Sequence, residues 1–215
     1  WLDYGYSPGY SAAAWVAVGF DGQLIVYREL YEQMLTHYEL GRKIAEMTPI
    51  GERFYVKQII YDPQLHKREN ESGVSGVDGL RNGLDSLNMK IGYVPGTRNR
   101  KYGWGVMRDY LRDKTFKDGS VKPGMIFFDT CYNCVRTIPN QVHDFNGADP
   151  EDMEDNEYNE PHCADMIRYG GVGMQLSASK REDGAHREVT PGEKAWKKRR
   201  KELRLRRLGK GLGRP

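Results

Sequence analysis

Two apolar runs, AAAWVAVGF and LIVYREL, flank the dipeptide Asp21-Gly22, and this hairpin constrains the fold more than any other feature of the chain. Asp-Gly between strand-like runs is a strong signal for a two-residue turn, because it tolerates the backbone angles such a turn needs. The string WLDYGYS just ahead reads as a first strand of the same antiparallel set. Thr36 with Glu39 three residues later has the form of a capping box, and Leu40, Ile44 and Met47 follow at helical spacing. Arg53–Asp62 is nearly continuous in apolar residues, as a buried strand is. Ser75-Gly-Val-Asp78 opens a second amphipathic helix carrying Leu80, Leu84 and Leu87, and the short strand Lys90–Val94 stops at Pro95. A helix with Val106, Met107, Tyr110 and Leu111, the strand MIFFD, a short helix over Cys131–Ile138 and a last helix from His162 to about Met174 complete the pattern. Three antiparallel strands followed by alternating helices and strands predict an α/β fold, a mixed β-sheet flanked by helices.

At 215 residues the chain has room for one substantial core plus appendages. The expected division is one domain over residues 1–176 and a flexible basic tail over 177–215, where few apolar residues remain. No apolar run approaches the roughly 20 residues that span a bilayer, and no leader resembling a signal peptide is present. The chain begins inside strand-like sequence, which predicts a domain of a longer protein. Three cysteines make no disulfide framework and fit a reducing cytosol. Residues 194–215 hold eleven Lys/Arg against Glu202 alone; that +10 within a net charge of +3 leaves −7 on the rest. Residues 144–160 hold eight acids and no Lys or Arg, so a uniformly basic coat for nucleic acid is excluded. The tail, with Trp196, Leu203, Leu205 and Leu208 as apolar anchors, suits either DNA phosphates or an acidic protein partner.

Three acids carry the chemistry. Asp3 and Asp62 lie on apolar strands, where a buried carboxylate is costly unless something pairs with it. Asp165 lies in HCADMIRYG, three residues after His162, so both project from one helix face. Each has a bland alternative: Asp62 before Pro63 starts turns, and His162 and Asp165 suit a helix N-terminus. Jointly, carboxylates from two strands and a late helix suit paired hard cations, Mg²⁺ or Mn²⁺, which favour oxygen ligands and can clamp a phosphodiester. His162 would serve as partner, ligand or proton carrier. In TRNRKYGWG, Arg98, Arg100 and Lys101 with Tyr102 and Trp104 form a possible phosphate-tracking surface, against a solvated loop with Trp104 in the core. Cys131 and Cys134 have zinc-ligand spacing, and His162-Cys163 offers two more ligands, but a lone CxxC on a short helix is weak evidence and reads as core filler. Asp129 is expected to cap the helix after it, and His37, His66, His143 and His186 to be surface residues.

Taken in order, LDYGYS with AAAWVAV, YREL, IIYDP, TRNRKYGWGVMRDYL and HCADMIRYG resemble the C-terminal nuclease domain of phage terminase large subunits. The motifs are short, and their order and spacing over residues 1–172 make the match. The resemblance implies a ribonuclease H-like fold and a two-metal endonuclease that cuts concatemeric viral DNA during genome packaging. Carried over by position, Asp3, Asp62 and Asp165 would hold two Mg²⁺ or Mn²⁺ ions, with His162 beside them. Many relatives read Asp-His where this chain has Pro161-His162, so an auxiliary carboxylate would have to come from Glu160, Asp155 or Asp152. The implied partners are double-stranded DNA, an upstream ATPase domain of the same polypeptide, the portal protein and the small terminase subunit, in the host cytoplasm. No GxxxxGK[ST] phosphate loop occurs, so the chain is not itself the ATP motor. The rival readings are a recombinase or junction resolvase of the same fold, and a non-catalytic domain that binds DNA or portal.

Overall fold

The computed structural model describes residues 1–6, 8–68, 73–144 and 160–186, with side chains as far as residue 175. The Asp21-Gly22 hairpin is present, with Gly22 at φ 92°. It joins strands β2 (Ser11–Val18) and β3 (Leu24–Glu32). Strand β1 (Leu2–Asp3) pairs antiparallel with β2, placing Leu2 opposite Ala13 and Asp3 opposite Ala12. On its other edge β1 runs parallel to β4 (Gln58–Tyr61), and β4 parallel to β5 (Gly92–Pro95). At the far side β8 (Met125–Phe127) runs parallel to β3, which gives a six-stranded mixed sheet in the order β5-β4-β1-β2-β3-β8. A small second hairpin of β6 (Asp113–Thr115) and β7 (Val121–Pro123) was not expected, although Asp118-Gly119 marks its turn.

An irregularity in β3 decides which side chains face which way. The register with β2 shifts between Trp15 and Val16, where Tyr27 is the extra residue. A bulge reverses the alternation. Leu24 and Val26 precede it and Tyr31 follows it on one face, while Leu30 lies on the other. Glu29, paired with Ala14, therefore joins the face of Val26.

Helices cover both faces. Helix α1 (His37–Met47) starts at the predicted capping box of Thr36 and Glu39, and α3 (Gly76–Asp85) starts at Ser75, whose hydroxyl accepts from the Asp78 N–H. The one-turn helix α2 (Ile50–Arg53) follows α1. Leu40, Ile44, Leu80 and Leu84 pack on Leu2, Trp15, Ile59 and Tyr61. Full burial of each Leu contributes about 1.5–3 kcal/mol. The two helices cross at Gly41 and Gly83, where a methyl group would meet opposing carbonyl oxygens at 2.2 and 2.1 Å. On the opposite face lie α4 (Arg100–Leu111), α5 (Tyr132–Thr137) and α6 (His162–His186). Their Trp104, Met107, Cys134, Cys163, Met166 and Ile167 pack on Trp1, Ala12, Ala14, Val26 and Ile60. Helix α6 continues well beyond Met174, where the apolar pattern fades. Trp1–Leu176 forms one compact unit; of the second, Ser177–Pro215, the described part is the end of α6. Among the described residues no helix is long and apolar enough to cross a membrane.

Candidate active site

Asp3 ends β1, and Asp62 follows directly on β4, its N–H donating to the Leu2 carbonyl at 3.2 Å. Parallel neighbours thus present two carboxylates at the same end. Strand alternation aims both at the α6 side, since Leu2 and Tyr61 belong to the opposite core. Asp62 also does what Asp-Pro predicts: its Oδ1 accepts from the Gln64 N–H at 2.8 Å and starts a 3-10 turn over Pro63–His66. The turn reading and the cluster reading of Asp62 hold together.

Helix α6 brings the rest. His162 Nδ1 stands 2.9 Å from Asp3 Oδ2, and on the other side of the ring the Tyr10 N–H donates to Nε2 at 3.1 Å. Asp165 Oδ1 accepts from Arg168 Nε at 2.8 Å and from its terminal nitrogen at 2.5 Å. That guanidinium is 2 % exposed and lies over the rings of Trp104 and Tyr169, 4.9 and 4.2 Å from their centroids. Arg168 was not singled out from the sequence, though it lies three residues from Asp165 on the same helix face. Glycines set the height of the helix above the sheet. A Cβ on Gly170 would meet the Trp1 ring at 1.8 Å, and one on Gly173 would meet Ile60 at 2.5 Å. Small residues at both places let α6 lie against β1 and β4, the strands that lead into Asp3 and Asp62.

Burial dominates the electrostatics. It pushes the Asp3 carboxyl from 3.8 up to about 6, with the charges of Asp165 and Asp62 adding to the rise and His162 opposing it. Asp62 is raised as well, by burial first and then by Asp165, against its bonds to Gln64 and Tyr169. Asp3 and Asp62, both raised chiefly by burial, form a place where a cation would be favoured. Every donor in the set is a carboxylate oxygen, the type that hard divalent ions take. The residues therefore fit such an ion in kind. The three acids do not all lie within 4.8 Å of one another.

Of the other expected site residues, Arg98 and Lys101 are exposed and Arg100 is half-buried over Trp104, 5.6 Å from its centroid. The stretch is not a free loop: Asn99 caps α4, and Arg100 and Lys101 form its first turn. It borders the acids, because the Thr97 carbonyl accepts from Arg168 at 3.4 Å. Glu160 lies beside His162, but its carboxylate takes two bonds from Arg136 and one from Tyr31. Asp152, Asp155 and the basic tail from residue 187 on lie outside the described residues. Asp129 does not cap α5; Glu29 does, accepting from the backbone N–H groups of Asn133 and Cys134. His66 is exposed, as expected, with its Nε2 2.7 Å from the Tyr61 hydroxyl, whereas His37 is half-buried and packs on Tyr4 at 4.0 Å.

No family model and no curated protein sequence matches the chain. A solved structure does: the crystal structure of the g2p (large terminase) nuclease domain from the bacteriophage SPP1 with bound Mn. The match covers 82% of this chain and 84% of that one, at 15% sequence identity and a TM-score of 0.50. The chain thus has the expected α/β fold, a mixed sheet flanked by helices, and shares that fold with this domain.

Proposed function

We propose that the chain is a metal-dependent DNA endonuclease that cuts concatemeric viral DNA during genome packaging. One observation carries the reading: Asp3, Asp62 and Asp165 come from two parallel strand ends and a late helix to one buried cluster, on a fold shared with a terminase nuclease domain whose crystal structure holds bound Mn. Asp3, Asp62 and Asp165 would hold two Mg²⁺ or Mn²⁺ ions. When bound, such ions supply a water of lowered pKa and neutralise charge on the departing 3′ oxygen. The protein's part is placement. His162 fixes the orientation of Asp3, Arg168 fixes Asp165, and the Gln64 N–H fixes Asp62. Arg98, Arg100 and Lys101, at the start of α4 beside Arg168, would follow the phosphates of double-stranded DNA.

His162 acts in this scheme as a positioning residue rather than as the proton carrier, because both ring nitrogens are engaged. The upstream ATPase domain, the portal protein and the small terminase subunit are the partners this role requires, and the host cytoplasm is its setting. The test is conversion of supercoiled plasmid to nicked and linear forms with Mg²⁺, Mn²⁺ or EDTA, beside Asp62→Asn. Metal-dependent cutting that the substitution abolishes supports the proposal. Cutting of branched but not linear duplex would favour a junction resolvase. No cutting by folded protein with either metal, alone or joined to its motor, would leave a binding domain.

A further inference from the structure

The bulge in β3 turns Glu29 into the face that α5 and α6 cover, and there it meets two thiols. A carboxylate oxygen of Glu29, Cys134 Sγ and Cys163 Sγ all lie within 4.8 Å of one another, the group of metal-binding donors that converges this closely among the described residues. They come from β3, α5 and α6. Both thiols are 1 % exposed, and neither is in a disulfide. The carboxylate is held from behind: Oε1 accepts from the Asn133 N–H at 2.7 Å and its side-chain amide at 2.9 Å, and Oε2 from the Cys134 N–H at 2.9 Å. Metal-ligating carboxylates are commonly oriented by such bonds.

Capping α5 explains the carboxylate but needs no cysteines beside it, and core filling explains the cysteines but needs no carboxylate. A cation accounts for both. We propose that Glu29, Cys134 and Cys163 bind one thiolate-preferring divalent cation of the zinc class, which ties β3, α5 and α6 together. Two sulfur ligands select this class over the oxygen-seeking ions suited to the aspartates. Binding would release the two thiol protons to solvent. A four-coordinate ion leaves one further position. Cys131, the N-cap of α5, is not in the group and has its thiol on the Val26 carbonyl at 3.6 Å. Of the CxxC pair only Cys134 belongs to the group, and Glu29 takes the place of His162, whose nitrogens serve Asp3 and Tyr10.

This proposal does not depend on nuclease activity, and its test is kept apart from it. Cobalt(II) is titrated into the reduced, chelator-treated chain carrying Asp3→Asn, so that the aspartate cluster is disabled. The expected result is a near-ultraviolet thiolate-to-cobalt charge-transfer band that saturates at one equivalent and is displaced by zinc. Glu29→Gln should keep the band and weaken cobalt binding by about tenfold. Cys134→Ser with Cys163→Ser should remove it. A folded Asp3→Asn chain with no band overturns the proposal without any cysteine variant, as does a band unchanged in the double serine variant.

Discussion

His162 Nδ1 stands 2.9 Å from Asp3 Oδ2 while its Nε2 accepts the Tyr10 N–H. An imidazole nitrogen that accepts carries no proton, so the neutral ring keeps its hydrogen on Nδ1 and donates it to Asp3. Removing the ring should loosen Asp3 without deleting it. His162→Ala is expected to lower cleavage about 10–100-fold. The pH–rate profile should keep both limbs, because no proton passes through the ring, with the acid limb displaced upward because His162 no longer opposes the rise of Asp3. Loss of one limb of that profile would make His162 a proton carrier instead.

Asp3→Asn, Asp62→Asn and Asp165→Asn are each expected to abolish cutting, but they should differ in stability. Asp3 is a buried carboxylate among like charges, so in EDTA Asp3→Asn should melt at or above the wild-type temperature. Asp165 instead balances the buried Arg168. Asp165→Ala strands that guanidinium and should cost about 3–5 kcal/mol. Denaturant unfolding of both variants in EDTA checks this, and equal stabilities would count against the Arg168 pairing.

Gly170→Ala places a methyl group inside the Trp1 ring contact. The helix must then shift or tilt, with an overpacking cost of about 1–3 kcal/mol. Asp165 and His162 ride on that helix, so cutting should fall further than stability alone explains. Wild-type rates in a folded Gly170→Ala protein would show that the acids tolerate displacement of α6.

Glu52 gives a pH effect remote from the acids. It accepts two bonds from Arg28 and one from Tyr27, and the Arg28 guanidinium holds its carboxyl below the usual range. A depressed folded pKa stabilises the fold above the unfolded value of about 4.3. That contribution is lost as pH falls through the folded pKa. Urea unfolding from pH 7 to pH 3 should therefore show a steeper loss in wild type than in Glu52→Gln. Parallel curves would remove Glu52 from the acid response.

Arg98→Ala and Lys101→Ala should each weaken DNA binding alike on all sequences. Each should reduce the salt slope of log K by about 1. An unchanged slope in both variants would move the DNA path away from α4.

The hairpin, the capping box and the order of helices and strands were legible because each rests on local chemistry: Asp21-Gly22, Thr36 with Glu39, and leucines at helical spacing. Asp3, Asp62 and the His162–Asp165 pair could be found the same way, as acids and a histidine where strand and helix patterns place them. What fixes their geometry could not. The face of Glu29 depends on a bulge at Tyr27 that shows only once β2 and β3 are paired. The role of Gly170 and Gly173 depends on Trp1 and Ile60, distant in sequence. Asp129 looked like the cap of α5 because it is close along the chain, while the group that serves comes from β3, 104 positions earlier than Asn133.

Helix α6 reaches Asp3 across 159 positions of the chain. During synthesis the hairpin and β4 are made early, and Asp3 and Asp62 can come into register while the segment bearing His162 and Asp165 has yet to leave the ribosome. Until that segment docks on Trp1 and Ile60, Asp3 has no imidazole to hold it and the cluster has no third acid. On the nuclease reading, a growing chain is therefore harmless to the genome around it. On the same reading, cutting would wait for the arrival of one late helix.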